Sequence, residues 1–191
     1  MKIILGSTSP YRKQLLERLP LSFETAAPNV DESALPGETP SELAVRLSRV
    51  KAEAVAKSYP GALVIGSDQV AECRGTAVGK PGTMENARRQ LASFSGRTVV
   101  YHSAFALRCL ATDFLYEDTV RTELRFRELD EAAIRRYVER DRPLDCAGAI
   151  RTEASGPTLF EWMRSDDPNA IMGLPLIALS RGLRAAGFEL P

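Results

Sequence analysis

An α/β fold follows from how this chain begins, from its most apolar run and from its longest β-rich stretch. The short strand Ile3-Ile4-Leu5 turns through Gly6-Ser7-Thr8 into a helix start. The run Ala62 to Gly66 is apolar at nearly every position and bounded by turn residues, as in a strand buried on both faces. Arg97 to Arg108 and Phe114 to Phe126 are β-rich and separated by Ala111-Thr112-Asp113, which predicts two long antiparallel strands. Strands of these kinds interleaved with helical segments define the class.

The elements can be justified in order. Ser9 is a helix cap and Pro10 suits the first helical position. The helix is expected from Pro10 to about Leu19, with Leu15, Leu16 and Leu19 on one face and Pro20 closing it. Arg12 and Lys13 add positive charge to unpaired N–H groups and the positive end of the helix dipole, a combination that favours an anion. A strand is expected around Leu21 to Ala27. Pro28 to Pro40 has a loop composition with acids at Asp31 and Glu32.

A second helix opens at Thr39-Pro40-Ser41-Glu42, where Thr39 caps and Glu42 completes a capping box. Leu43, Leu47, Val50 and Ala54 define its expected core face, with Lys51 at the edge of that stripe. Beyond Tyr59-Pro60-Gly61, the buried strand is expected to deliver Ser67-Asp68-Gln69-Val70 at its carboxyl end, where α/β sheets hold ligands. Glu72 to Lys80 reads as a hairpin turning at Arg74-Gly75, followed by a helix from Thr83 or Met84 to about Phe94. Asp130 to Arg140 reads as an Asp-capped helix. Pro143 to Thr158 is irregular, Thr158 to Met163 is apolar, and Ser165 to Asn169 is a turn. Leu174 to Ala186 is a closing helix stopped by Gly187.

The chain has 191 residues, enough for one sizeable core, and is read as a single domain over residues 1–191. Hydrophobic residues make up 44% and charged residues 26%, and 25 acids balance 25 bases, as in an ordinary folded protein. That balance lacks the basic bias of a dedicated nucleic-acid or membrane-surface binder, so neither partner is expected. The chain enters a strand at once, without the regions of a signal peptide, and no apolar run approaches a membrane span; a cytoplasmic location is expected. Cys73, Cys109 and Cys146 are odd in number and widely spaced, which predicts buried, reduced thiols. His102 is the sole histidine and lies in a strand-like run, where a structural role is expected.

The polar residues that fall on loops or element ends are Ser9, Arg12, Glu32, Lys51, Asp68, Gln69, Lys80 and Glu153. A triphosphate needs a matched set of this kind: cations and metal to neutralise oxygens, a carboxylate to hold the metal, and another to deprotonate a water. No Walker A sequence, dinucleotide fingerprint or HExxH motif accounts for them.

The ordered set resembles the Maf family, also called septum-formation inhibitor proteins, which are nucleoside triphosphate pyrophosphatases. The resemblance spans nearly the whole chain. It rests on Ser7-Thr8-Ser9-Pro10 with Arg12, on Asp31-Glu32, Lys51-Ala52, Ser67-Asp68-Gln69-Val70 and Gly79-Lys80-Pro81, and on Ala147-Gly148-Ala149 leading to Glu153. It implies hydrolysis between the α and β phosphates with Mg²⁺ or Mn²⁺. Asp68 is then the general base, Glu32 and Asp68 are the metal residues, and Ser9, Arg12, Lys51 and Lys80 bind phosphates. It also implies a mixed α/β architecture, with a strongly bent central sheet, flanking helices and a cleft between two lobes. The oligomeric state is left open, a homodimer being one option.

Family branches differ at positions that fall here on Tyr11, Gln69 and Glu153. Asp68-Gln69-Val70 and Thr152-Glu153 resemble the branch acting on 7-methyl-GTP, whose first position is usually aromatic, rather than the branch acting on dTTP and UTP. The chemistry agrees, because 7-methylguanine is cationic and gains a cation–π term on an aromatic ring. The guanine edge also offers two N–H donors to a carboxylate such as Glu153, and Gln69 adds an amide. Two alternatives remain: a pyrophosphatase preferring dTTP and UTP, and a nucleotide-binding regulator of cell division without turnover.

Overall fold

The computed structural model describes residues 1–191. One mixed seven-stranded sheet runs in the order β2-β1-β3-β5-β6-β7, with β4 attached to β3. The strands are β1 (Ile3–Gly6), β2 (Phe23–Thr25), β3 (Leu63–Cys73), β4 (Thr76–Val78), β5 (Thr98–Cys109), β6 (Phe114–Phe126) and β7 (Phe160–Ser165). Helices α1 (Pro10–Leu16), α2 (Pro40–Ala56), α3 (Met84–Phe94), α4 (Glu131–Asp141) and α5 (Leu176–Ala185) flank it. No helix is long and apolar enough to cross a membrane.

The pairing of β3 creates the site. Strand β1 runs parallel to β3 from Ile3↔Leu63 to Gly6↔Gly66 and then leaves the sheet. On the same edge, β4 pairs antiparallel with β3 only from Ala71 onward. The segment Ser67-Asp68-Gln69-Val70 therefore has no strand beside it on that edge, while β5 holds its other edge from Val64↔Arg108 to Glu72↔Val100. Asp68 and Gln69 lie inside a continuous eleven-residue strand, not at its carboxyl end as the sequence suggested. The end that matters is that of β1, whose departure opens the gap. The turn joining β3 to β4 falls on Arg74 and Gly75, both at positive φ (55° and 77°), as the expected hairpin requires.

Two apolar clusters occupy opposite ends of the long strands. One joins α1 and α5 to Leu63, Ile65, Phe105 and Leu107. The other joins α3 and α4 to Cys73, Tyr101, Leu124 and Phe126. Helix α2 covers the face of the sheet opposite α5, packing Ala52, Val55 and Ala56 on Ile4, Val64 and Ala106. Its Thr39–Glu42 capping box forms as expected.

The buried face of α2 differs from the predicted stripe. Leu43, Leu47, Lys51 and Val55, with Ala44, Ser48, Ala52 and Ala56 beside them, face inward, and Val50 and Ala54 are only half-buried. A helix laid directly on backbone selects its small residues for the contact. A Cβ on Gly66 would stand 2.2 Å from the Ser48 carbonyl oxygen and 2.5 Å from the Ala52 nitrogen. This close approach carries Lys51 into the interior.

Other differences concern ends. Helix α1 stops at Leu16, β2 has shrunk to Phe23–Thr25, and α5 begins at Leu176. The apolar run after Thr158 is the edge strand β7, paired with β6. Cys73 and Cys109 are buried free thiols, but Cys146 is only half-buried, because it stands in the cleft wall rather than in a core.

Candidate active site

A cleft of about 600 Å³ lies between the lobes, lined by the β1–α1 loop, the middle of β3, the end of β4 and the segments around Glu153 and Gly173. Ser9, Tyr11, Arg12, Glu32, Lys51, Asp68, Gln69, Lys80 and Glu153 all line it. His102 lies elsewhere, with Nε2 2.6 Å from Glu72 Oε2.

At the start of α1, Ser9 Oγ accepts the Arg12 N–H at 3.4 Å, and the Ser9 N–H donates to Ser7 Oγ at 3.1 Å. The Arg12 side chain is fixed at its root, since Nε donates to the Gly173 carbonyl at 3.1 Å. Ser67 Oγ donates to the same carbonyl at 2.8 Å. Burial lowers the Arg12 pKa, and the nearby carboxylates of Asp68 and Glu32 oppose that shift. The guanidinium stays charged, because its ordinary value is so high. A partly desolvated cation of this kind attracts an anion more strongly than one in bulk water does.

Lys51 is the centre of the charge cluster. Its Nζ donates to Asp68 Oδ1 at 2.5 Å and lies 2.9 Å from Glu32 Oε1, joining α2, β3 and the acidic loop. Both Lys51 and Asp68 are buried, while the Glu32 side chain is 57% exposed. Burial pushes the Asp68 carboxyl above its ordinary pKa, and the positive charges of Lys51 and Arg12 restrain the rise. Lys51 engages only Oδ1, which leaves Oδ2 free to accept a proton. Lys80 is exposed on the rim that follows β4.

Tyr11 and Glu153 are joined through Arg151, while Gln69 is held by a different segment of the cleft lining. The Arg151 guanidinium lies over the Tyr11 ring, 5.8 Å from its centroid, and Arg151 Nε donates to Glu153 Oε1 at 2.9 Å. The Tyr11 pKa is pushed up to about 12, first by burial and then by the charges of Cys146 and Asp145, so the phenol is neutral at physiological pH. Gln69 Nε2 donates to Ser103 Oγ (2.9 Å), to the Ala170 carbonyl (2.9 Å) and to the Ile171 carbonyl (3.0 Å). Its amide nitrogen thus anchors the 3₁₀ turn Ala170–Met172.

A charge cluster and an aromatic–carboxylate pair thus line one cleft. The chain matches the family described as "Maf-like protein" over residues 2–186. It belongs to the Maf family. Among its relatives, a protein of Aromatoleum aromaticum is 53% identical over 190 residues, covering 100% of this chain and 98% of the relative. A Xanthomonas campestris protein is 52% identical over 191 residues, with 100% and 98% covered. Both are named 7-methyl-GTP pyrophosphatase. Among solved structures, the Staphylococcus aureus Ham1 protein overlaps with a TM-score of 0.48 at 15% identity, over 66% of this chain and 72% of that one.

This Maf chain also uses residues to which the sequence assigned no role. Ser67 and Ser103 look like ordinary strand serines, yet both are fully buried and donate to carbonyls of the 170–173 segment. Asp167, almost fully buried, accepts the Ile177 and Ala178 N–H groups at 2.5 and 3.4 Å and so caps α5 from a distance. Glycine inside an apolar strand was the available clue for Gly66, since it marks close backbone approach. No sequence feature distinguished Arg151.

Proposed function

We propose that this Maf protein hydrolyses 7-methyl-GTP to 7-methyl-GMP and pyrophosphate. The observation that carries the reading is the meeting in one cleft of the Lys51–Asp68–Glu32 cluster with Tyr11 and Glu153. Near-full-length relatives named for this activity support it.

In the proposed reaction, Asp68 Oδ2 accepts a proton from water as the water oxygen attacks the α phosphorus. The bond from the α phosphorus to the α–β bridging oxygen breaks, and pyrophosphate leaves with its electron pair. A carboxylate whose pKa is raised by burial is a stronger base at neutral pH than a solvated one. Lys51 holds the other Asp68 oxygen and so fixes the base in orientation. Arg12, Lys51, Lys80 and Ser9 bind phosphate oxygens, and the three cations stabilise charge on the leaving group.

The donor set fits a divalent ion. Mg²⁺ is usually held by one or two carboxylates together with substrate phosphates and water, and Asp68 and Glu32 supply two carboxylates on one cleft wall. They contact a shared cation already, the Lys51 ammonium. When bound, Mg²⁺ or Mn²⁺ would neutralise phosphate charge and polarise the phosphoryl group.

Tyr11 would stack on the methylated base and Glu153 would accept its N–H edge. Purified protein with Mg²⁺ and a panel of 7-methyl-GTP, GTP, dTTP, UTP and CTP tests the reading, with pyrophosphate resolved from orthophosphate. Pyrophosphate release is expected to be fastest with 7-methyl-GTP. Faster turnover of dTTP or UTP would reverse the substrate assignment, and nucleotide binding without release of any product would favour a regulator.

A further inference from the structure

Arg151 lies behind the proposed base-recognition pair rather than in the cleft wall, and its side chain makes three contacts. Its Nε donates to Glu153 Oε1 at 2.9 Å, its Nη1 donates to the Asp141 carbonyl at 3.0 Å, and its guanidinium carbon stands 5.8 Å from the Tyr11 ring centroid. Tyr11 belongs to α1 and Asp141 ends α4, so one side chain ties the two lobes together beside the cleft.

The backbone beneath it is equally fixed. The Arg151 N–H donates to Tyr137 Oη at 2.9 Å, and the Arg151 carbonyl accepts the N–H groups of Ala154 (3.2 Å) and Gly156 (3.0 Å). A Cβ on Gly156 would stand 2.4 Å from that carbonyl oxygen, so the loop closes on Arg151 only because position 156 is glycine. Asp141 Oδ2 accepts both the N–H (2.8 Å) and the hydroxyl (2.7 Å) of Ser155, which clamps the far side of the loop. An exposed loop would ordinarily leave a carboxylate such as Glu153 free to rotate. Here it is held by an anchored guanidinium.

We propose that Arg151 is a positioning residue for nucleobase selection, fixing the Glu153 carboxylate relative to the Tyr11 ring so that both meet one purine. The inference rests on the reading of Tyr11 and Glu153 as the base-recognising pair. It sets two effects of Arg151 against each other. Ordering Glu153 favours the base, whereas a cation behind the ring and beside the carboxylate disfavours a cationic one. The number of fixed contacts argues that ordering wins.

The test is steady-state kinetics of the wild type, Arg151→Ala, Arg151→Lys, Glu153→Gln and the Arg151→Ala/Glu153→Gln double variant, with 7-methyl-GTP and dTTP, alongside melting curves. Arg151→Ala is expected to raise KM for 7-methyl-GTP roughly 10-fold, the scale of one charge-assisted hydrogen bond. Its kcat and its KM for dTTP should change much less. Arg151→Lys should fall between Arg151→Ala and wild type, because it keeps the charge but loses the planar fork. In the Glu153→Gln background, Arg151→Ala should add little.

An unchanged or lower KM for 7-methyl-GTP in Arg151→Ala would overturn the inference and leave Arg151 as a competing cation. So would an equal KM rise for both nucleotides. If Arg151→Ala fails to fold, Arg151→Lys decides by the same readout. Failure of the wild type to hydrolyse 7-methyl-GTP would overturn the functional reading itself and this inference with it, an outcome distinct from a silent Arg151 variant.

Discussion

Asp68 is costly to the fold and useful to the chemistry for the same reason. Burial raises its pKa, so the folded state favours the protonated carboxyl. The sign follows: stability associated with this group is present at pH below the unfolded pKa and is lost as pH rises through the raised folded value. Asp68→Asn should therefore keep or raise Tm at neutral pH, while lowering kcat by about 10²- to 10⁴-fold, the usual contribution of a general base. Melting curves and pyrophosphate release on the same preparation check both halves. Lys51 pulls the Asp68 pKa downward. Lys51→Met should then move the acid limb of the kcat/KM profile to higher pH, in addition to weakening phosphate binding.

At the scale of elements, the contact between α2 and β3 sets the geometry of the charge cluster. Their separation is fixed by Gly66, where no Cβ fits beneath the Ser48 carbonyl and the Ala52 nitrogen. Gly66→Ala must push α2 off the sheet, and with it Lys51 away from Asp68. Overpacking of this kind costs about 1–3 kcal/mol or more. The expected result is a lowered Tm together with a loss of kcat/KM, although position 66 touches no substrate. Normal activity in a destabilised Gly66→Ala protein would show that the Lys51–Asp68 contact does not depend on this packing. The opposite wall is set by Gln69, Ser103, Ser67 and Arg12, all donating to carbonyls of residues 170–173, and by Asp167, which holds that turn to the start of α5.

For the whole molecule, the cleft joins two lobes with separate apolar clusters, so a ligand that bridges them should stabilise both. With Asp68→Asn to prevent turnover, 7-methyl-GTP with Mg²⁺ should raise Tm in a concentration-dependent way. The gain is about 2.7 kcal/mol at a ligand concentration of 100 Kd. A thermal-shift series with 7-methyl-GTP, GTP and dTTP would rank the three by affinity without relying on catalysis. A flat response to all three would count against a nucleotide site between the lobes.

Much was determined locally and was therefore legible in the sequence: the Thr39–Glu42 capping box, the Arg74-Gly75 turn, the Ser9 cap and the long β5–β6 hairpin. The caps and the turn depend on residues within a few positions of one another, where backbone preference and side-chain hydrogen bonding act before any packing does, and the hairpin joins two strands adjacent in sequence through a short turn. The site residues were legible through their ordered resemblance to a family, not through spacing. Tertiary structure alone decided that Lys51 lies inside rather than at the stripe's edge, because the buried face of α2 is chosen by a glycine on another strand. It alone placed Asp68 in mid-strand beside a gap, because that gap exists only where β1 has left the sheet and β4 has not yet joined it. The same holds for Arg151, whose partner Tyr11 lies far from it in sequence and is brought to it by the meeting of the two lobes.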